Sequence, residues 1–327
     1  MSKRVVMPGG SGFLGRAVAR HLTDRGNEVV VLTRGRAGTD SGVEFVHWDA
    51  AKLGDWVSAL KGADAVVHLT GKRVDCRPTR RNVAELVRSR VGPVRLVGQA
   101  LRRVADPPNV WVQSATLAVF GDTGDAIITE DTPVSGVGPQ QMVQVALAWE
   151  RAFTEAAQEI ERAVLLRIGV TIGGEDDPAT RRLTTLARLG LGGPVAGGRQ
   201  WLSWIALADV LAGIARAIDE PTMRGLYHLT SPEPVRNRDV MAIFRAAAGR
   251  RVGLPSPRLL TRVGAPLLGS DAQLALTGRR VYPQRLSDED FQWACTDLAT
   301  AVKHTLHPQH RRDAGQHEER IDALEER

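Results

Sequence analysis

Residues 3–22 read KRVVMPGGSGFLGRAVARHL. A short apolar strand, Arg4 to Met7, runs into Gly9, Gly10, Gly12 and Gly15, and an amphipathic helix follows from Phe13 to about Arg25. The spacing satisfies both G-x-G-x-x-G and G-x-x-G-x-x-G. Glycine permits the sharp turn, lets backbone approach a pyrophosphate, and allows close packing of helix on strand. The helix N-terminus adds unpaired N–H groups and the positive end of its dipole, and Ser11 adds a hydroxyl. A dinucleotide is therefore the expected ligand, lined by Gly9, Gly10, Ser11, Gly12, Phe13, Leu14 and Gly15. The plain alternative is a glycine turn that holds nothing.

Working outward, apolar runs alternate with helical ones: EVVVL (28–32), EFVHW (44–48), ADAVVHL (63–69), a helix over about 79–104, NVWVQSA (109–115), a helix over about 139–160, and AVLLRIG (163–169). Strands alternating with crossover helices predict an α/β chain with a Rossmann-type, doubly wound parallel sheet. Beyond Gly169 the rhythm loosens. Gly-rich GLGGPVAGGRQWLSWI (190–205) and two helical stretches near 206–219 and 236–249 predict a smaller C-terminal substrate lobe. The expected division is a nucleotide-binding domain over 1–168 and a substrate lobe over 169–306, with some segments returning to the first domain. Residues 307–327, nearly all polar, read as a flexible tail.

The second strand ends in VVLTRGR (30–36). Where an NAD-binding chain carries an acid for the ribose 2′-hydroxyl, this chain has Arg34, with Arg36 close by. An arginine suits a 2′-phosphate, so NADP(H) is expected over NAD(H). Two solvated loop arginines would be the alternative. Asp49 is either an acceptor for the adenine amino group or a turn residue. Leu69, Thr70 and Gly71 follow the fourth strand, where backbone runs beside such a cofactor. His68 reads as a packed core histidine.

Composition narrows the partners. The chain has 327 residues, net charge +6, and only five lysines among its 43 basic residues. No lysine-rich tract or basic–aromatic interleaving supports nucleic-acid binding, and a small anionic molecule suits the charge better. Cys76 and Cys295 are too few for a metal site or a disulfide framework and read as free thiols. No metal is expected. No stretch approaches a membrane span, and no secretory leader is evident, so a cytoplasmic protein without a membrane partner is expected.

The stretches GGSGFLG (9–15), AVVHLTG (65–71), VRSRVGPVRL (87–96), VFGDTGD (119–125), GLGGPVAGGRQWLSWI (190–205), YHLTSPEPVRNRDV (227–240) and GRRVYPQRL (278–286) resemble the extended short-chain dehydrogenase/reductases. Within these they look like the bacterial "epimerase family" branch, similar to nucleoside-diphosphate-sugar epimerases. The resemblance runs over about residues 3–306. It implies a Rossmann domain, NADP(H), and a C-terminal lobe that contacts substrate through Arg199, Gln200 and Trp201, with Arg199 as an anion clamp. Two departures stand out: Pro8 precedes the glycines where such chains usually carry Thr, and Ala206 stands where relatives often have His.

Short-chain reductases generally use a Tyr and a Lys four residues later, on one helix face. With Glu150 as marker, those positions fall on Met142 and Ala146. The only tyrosines are Tyr227 and Tyr282, and no lysine lies between Lys72 and Lys303, so no register of the helix at 139–160 supplies the pair. Apolar residues at these positions are common in the resembled branch. Met142 then becomes a substrate-facing or core residue. The expected replacements are Thr116, where the family's strand hydroxyl falls, Ser114 two residues earlier, and Lys72 at the cleft mouth beside Asp75 and Cys76. A solvated loop lysine is the alternative for Lys72, and Asp122 reads as a turn acid.

Three functions follow. The first is an NADP(H)-dependent oxidoreductase acting on a carbonyl–alcohol pair without the dyad. The second is a redox-neutral epimerase or dehydratase with tightly held NADP. The third is a non-catalytic NADPH sensor or interaction module. Oligomeric state is left open.

Overall fold

The computed structural model describes residues 2–174 and 176–306; the expected tail, 307–327, lies outside the described residues. The main sheet has eight strands: β1 Arg4–Pro8, β2 Glu28–Thr33, β3 Gly38–Asp40, β4 Val43–His47, β5 Ala65–His68, β6 Val110–Thr116, β7 Arg162–Ile168 and β8 Gly225–Leu229. Their order is β8-β7-β6-β5-β1-β2-β4-β3. Pairing is parallel throughout except at β3, which returns antiparallel to β4. Ser41 (φ 50°) and Gly42 (φ 76°) make that return. Two positive φ values in a two-residue loop give the turn whose twist matches a hairpin. A purely parallel sheet was expected, and this short edge hairpin is the departure.

The central strands β1, β2 and β5 are mostly apolar because both faces are covered. Val5, Met7, Val29 and Val31 pack under α1 (Phe13–Asp24) and a later helix, Leu207–Asp219. Val6, Val30 and Leu32 point the other way, into Trp56, Leu60, Val94, Trp111, Trp149 and Phe153. That second layer is built by α2 (Arg80–Leu101) and α3 (Val143–Ala156). The two cross closely at Gly98, where a Cβ would stand 2.7 Å from the Ala156 Cβ. α2 begins at Thr79, whose hydroxyl oxygen accepts from the Asn82 amide.

The sheet does not end at residue 168. Leu207–Asp219 packs on its face, and β8 pairs with β7 in register from Gly225↔Val164 to Leu229↔Ile168. The lobe proper takes the remaining pieces: Val170–Ile172 beside Trp204–Ala206, Trp201–Leu202 beside Val235–Arg236, and the helices α4 (Pro178–Arg188), α5 (Asn237–Ala247), α6 (Arg258–Leu267) and α7 (Leu298–Leu306). Its core is Ile172, Ala187, Trp204, Val240, Phe244, Leu298 and Val302. No helix among the described residues is long and apolar enough to cross a membrane, and no cluster of three metal-ligating side chains occurs among them.

β1 sits where the chain order reverses: β2 lies on one side and β5 on the other. A crevice opens at the carboxyl ends of strands at such a switch point.

Candidate cofactor cleft

A cleft of about 1000 Å³ occupies that crevice. Gly9, Ser11, Gly12, Arg34, Asp49, Leu69, Thr70, Gly71 and Lys72 line it, together with Trp48, Arg73, Glu85, Arg88 and Pro93.

The glycine turn is shaped by contact. Gly9 has φ +83°, and a Cβ there would lie 2.7 Å from the Thr70 amide nitrogen, closing β1 onto the end of β5. A Cβ on Gly15 would lie 2.5 Å from the Gly10 Cα, so the helix seats directly on the turn. Gly12 caps α1 with no side-chain hydrogen bond, and the first turn has no acid. The first intrahelical bond is Arg16 N–H to the Gly12 carbonyl at 2.9 Å, so the amides of Phe13, Leu14 and Gly15 have no acceptor within the helix. An anion is favoured there by both donors and dipole. Gly9→Ala is expected to lower stability by roughly 2–4 kcal/mol, from αL strain plus a backbone clash, and to weaken nucleotide binding by at least about tenfold. Denaturant unfolding and nucleotide titration check this together.

Arg34 stands exposed on the wall just after β2 and makes no ion pair among the described residues. The loop behind it is braced: the Gly35 amide donates to Thr33 Oγ1 at 3.0 Å, and His47 Nδ1 lies 2.9 Å from the Gly35 carbonyl. Arg36 is exposed but does not line the cleft. Asp49 is a turn acid in this structure, with Oδ1 accepting from the Ala51 and Lys52 amides, both at 2.8 Å. Those amides hold its carboxyl below the usual range. It nonetheless faces the cleft, next to Ala50 at φ 58°.

The floor beyond β5 rests on Arg90, a buried guanidinium of α2. It donates to the Lys72 carbonyl at 2.9 Å and lies 5.0 Å over the Trp149 ring. Burial lowers its pKa to about 10. A Cβ on Gly71 would meet this group at 3.2 Å. His68 is fully buried beneath Thr70, and desolvation lowers its pKa to about 3, so it is a neutral core residue.

Lys72 reaches Asn82 Oδ1 at 3.1 Å and pairs with Glu85. Lys72, and then Arg81, hold the Glu85 carboxyl low. Asp75 ties this wall to the lobe through Arg182 of α4 and Ser270. Gln141, just before α3, donates to the carbonyls of Val74 at 3.0 Å and Cys76 at 3.2 Å. Burial raises the Cys76 thiol.

The other expected residues fall elsewhere. Ser114 is buried, and its hydroxyl donates to the His68 carbonyl at 2.9 Å, so it fastens β6 to β5. Thr116 Oγ1 accepts from the Ala118 amide at 3.2 Å at the end of β6. Met142 is buried at the start of α3, its sulfur 3.8 Å from Thr277 Oγ1. Asp122 Oδ1 accepts from the Gly124 amide at 3.5 Å, as a turn acid would, and also from the distant Gly278 amide at 3.2 Å. Arg199 is exposed, Gln200 donates to the Val195 and Ala275 carbonyls, and Trp201 donates to Asp125 at 2.9 Å. None of these lines the cleft. Tyr227 is bound to Glu289 and stacked by Arg285, and its pKa is pushed up to about 12, first by burial. It takes no part in the cleft.

Sequence reasoning missed Glu85, Arg88, Ser89 and Pro93. They repeat at helical spacing along one face of α2, three polar residues and a proline.

The family model for the NAD dependent epimerase/dehydratase family matches residues 5–227, and one for a domain of unknown function matches 257–305. The chain belongs to the NAD-dependent epimerase/dehydratase family. An epimerase family protein of Mycobacterium tuberculosis is 31% identical over 305 residues, covering 91% of this chain and 96% of that one. The crystal structure of human epimerase family protein SDR39U1, solved with NADPH, superposes with a TM-score of 0.79 at 26% identity, covering 93% and 99% of the two chains. A nucleoside-diphosphate sugar epimerase structure from Corynebacterium glutamicum gives 0.75 at 27%, covering 94% of this chain and 58% of that one. The chain has no Tyr–Lys pair on α3: Ala146 on it and Met142 just before it are both buried.

Proposed function

We propose that the chain is an NADP(H)-dependent oxidoreductase acting on a carbonyl–alcohol pair without a Tyr–Lys relay. The observation that carries this is the meeting, in one cleft, of an uncapped helix N-terminus behind a glycine turn and an unpaired Arg34 after the second strand. The NADPH in the similar human structure supports the choice of cofactor. When bound, the nicotinamide nucleotide supplies the hydride chemistry.

The chain's residues bind and orient. The Phe13–Gly15 amides would hold the pyrophosphate, Arg34 the 2′-phosphate, and the Asp49 carboxylate, which lines the cleft, the adenine amino group. The Thr116 hydroxyl, whose oxygen is engaged by Ala118, has its proton left to orient a substrate oxygen. Ser114 serves as a positioning residue under it. Lys72 is the proton donor: Asn82 and Glu85 take two of its three N–H bonds, leaving one for a substrate oxygen. Met142, Arg199, Gln200 and Trp201, which lie off the cofactor cleft, are assigned to the substrate side, with Arg199 as the anion clamp of a small anionic substrate.

The test mixes purified protein and NADPH with ketones, aldehydes and sugar nucleotides and follows NADPH absorbance. Catalytic loss supports the reductase. The second reading, a redox-neutral epimerase or dehydratase, draws on the family description and the sugar-epimerase relative. It requires copurified nucleotide and isomerised or dehydrated substrate with no net NADPH loss. Binding without either reaction makes the protein a nucleotide sensor. Lys72→Ala is expected to lower turnover by roughly 10²-fold or more while NADPH affinity stays within about threefold. Unchanged turnover removes Lys72 from the chemistry.

A further inference from the structure

Helix α6 is inside out. Leu259, Leu260, Val263 and Leu267 are 72%, 63%, 56% and 74% exposed. At 3.6 residues per turn they fall within about 100° of one another on the helix surface. The one buried residue, Thr261, lies on the opposite side, held by Ser256. The apolar stripe that would normally face a core faces outward. It continues into neighbouring segments. Leu268, Val252 and Leu254 are exposed, and the Leu254 amide donates to the Gly190 carbonyl, placing Leu189 and Leu191, also exposed, alongside.

Along the segments that carry this stripe the charge has one sign. Between Asp239 and Asp271 the sequence holds five arginines and no acid. Between Asp177 and Asp209, which supply the adjoining surface, it holds four arginines and no acid. Arg258 and Arg262 sit on α6 itself and are exposed. An outward apolar stripe on segments whose own charges are all arginine is the pattern of a helix that lies in the headgroup region of an anionic membrane.

We propose that this face docks the protein on an anionic lipid surface, with α6 in the interfacial plane. The expectation of no membrane partner rested on the lack of a spanning segment, and surface docking needs none. A second copy fits poorly, because a two-fold pairing of the same patch sets arginines against arginines. The chain's own residues 307–327 are acidic but offer only Ile321 and Leu324 as large aliphatic groups. The docked face adjoins the cleft, since Arg77 Nε donates to the Pro266 carbonyl at 2.7 Å and Ser270 bonds Asp75. A docked chain would hold its cleft mouth at the headgroups.

Flotation of the full chain with phosphatidylcholine vesicles, with and without an equal part of phosphatidylglycerol, tests this. Binding is expected only with phosphatidylglycerol and is expected to weaken as salt is raised. The double variant Leu260→Ser/Leu267→Ser, at exposed positions and with its fold checked by circular dichroism, is expected to lower partitioning at least about tenfold. Arg258→Ser/Arg262→Ser is expected to lower it severalfold and flatten the salt dependence. No flotation with phosphatidylglycerol at low salt overturns the proposal. So does flotation that the leucine variant leaves unchanged. Two further results overturn it by assigning the face elsewhere. One is a dimer in sedimentation that the leucine variant abolishes without vesicle binding. The other is vesicle binding that appears only after residues 307–327 are removed, which would make the tail its occupant.

Discussion

Arg34→Asp is expected to weaken NADPH binding about 100-fold or more while NADH stays within a few-fold or binds better. A charge-assisted contact to a phosphate contributes about 1.5–3 kcal/mol, and reversing the charge adds repulsion to the loss. A hundredfold corresponds to about 2.7 kcal/mol, inside that range. The aspartate also offers the acceptor that a ribose 2′-hydroxyl lacks in the native chain. Arg34 is exposed, so raising salt should narrow the native preference for NADPH. Arg36, off the cleft wall, should give a much smaller effect on the same substitution. Calorimetric titration with both reduced nucleotides at two ionic strengths decides it. Equal weakening of the two removes Arg34 from the 2′-phosphate.

Glu150→Ala is expected to cost about 3–5 kcal/mol of stability. Arg167 donates to both Glu150 oxygens, at 2.8 and 2.7 Å, with side-chain exposures of only 6% and 13%. Its guanidinium lies 5.0 Å over Phe120, and the neighbouring His228 ring is held neutral, near pKa 3, by burial first and the Arg167 charge second. Removing the carboxylate leaves a cation surrounded by an aromatic face and a neutral imidazole. Glu150→Gln, which keeps one acceptor, should lose less, and Glu150→Ala with Arg167→Met should regain much of the loss. Urea unfolding of the three variants measures this. A loss below about 1 kcal/mol for Glu150→Ala would mean the site is hydrated and the pair contributes as little as a surface one.

The sheet was readable because its strands are short apolar runs punctuated by Gly and Asp, and because the glycine turn has one common use at the end of a first strand. The hairpin at 38–47 was not, since its signal is two positive φ values at Ser41 and Gly42 within a polar stretch. α3 was expected from about Pro139 but begins at Val143, because Pro139 and its neighbours form a turn before it. On the cleft wall, residues contributed by loops immediately after β1, β2 and β5 could be named from position alone. Those from α2, such as Glu85 and Arg88, depend on how a 22-residue helix lies across the sheet. The reach of Gln200 and Trp201 toward Ala275 and Asp125 is set by contacts some 75 residues away in the chain, which no local pattern encodes.

The late position of β8 in the chain bears on how the molecule is made. During synthesis β7 emerges with one side unsatisfied, and its partner follows only after the first part of the lobe and the helix Leu207–Asp219 have left the ribosome. Until then a row of backbone donors and acceptors beside Val164 and Leu166 is open to foreign strands. A cut at residue 168 would leave β7 without the strand that covers its outer edge.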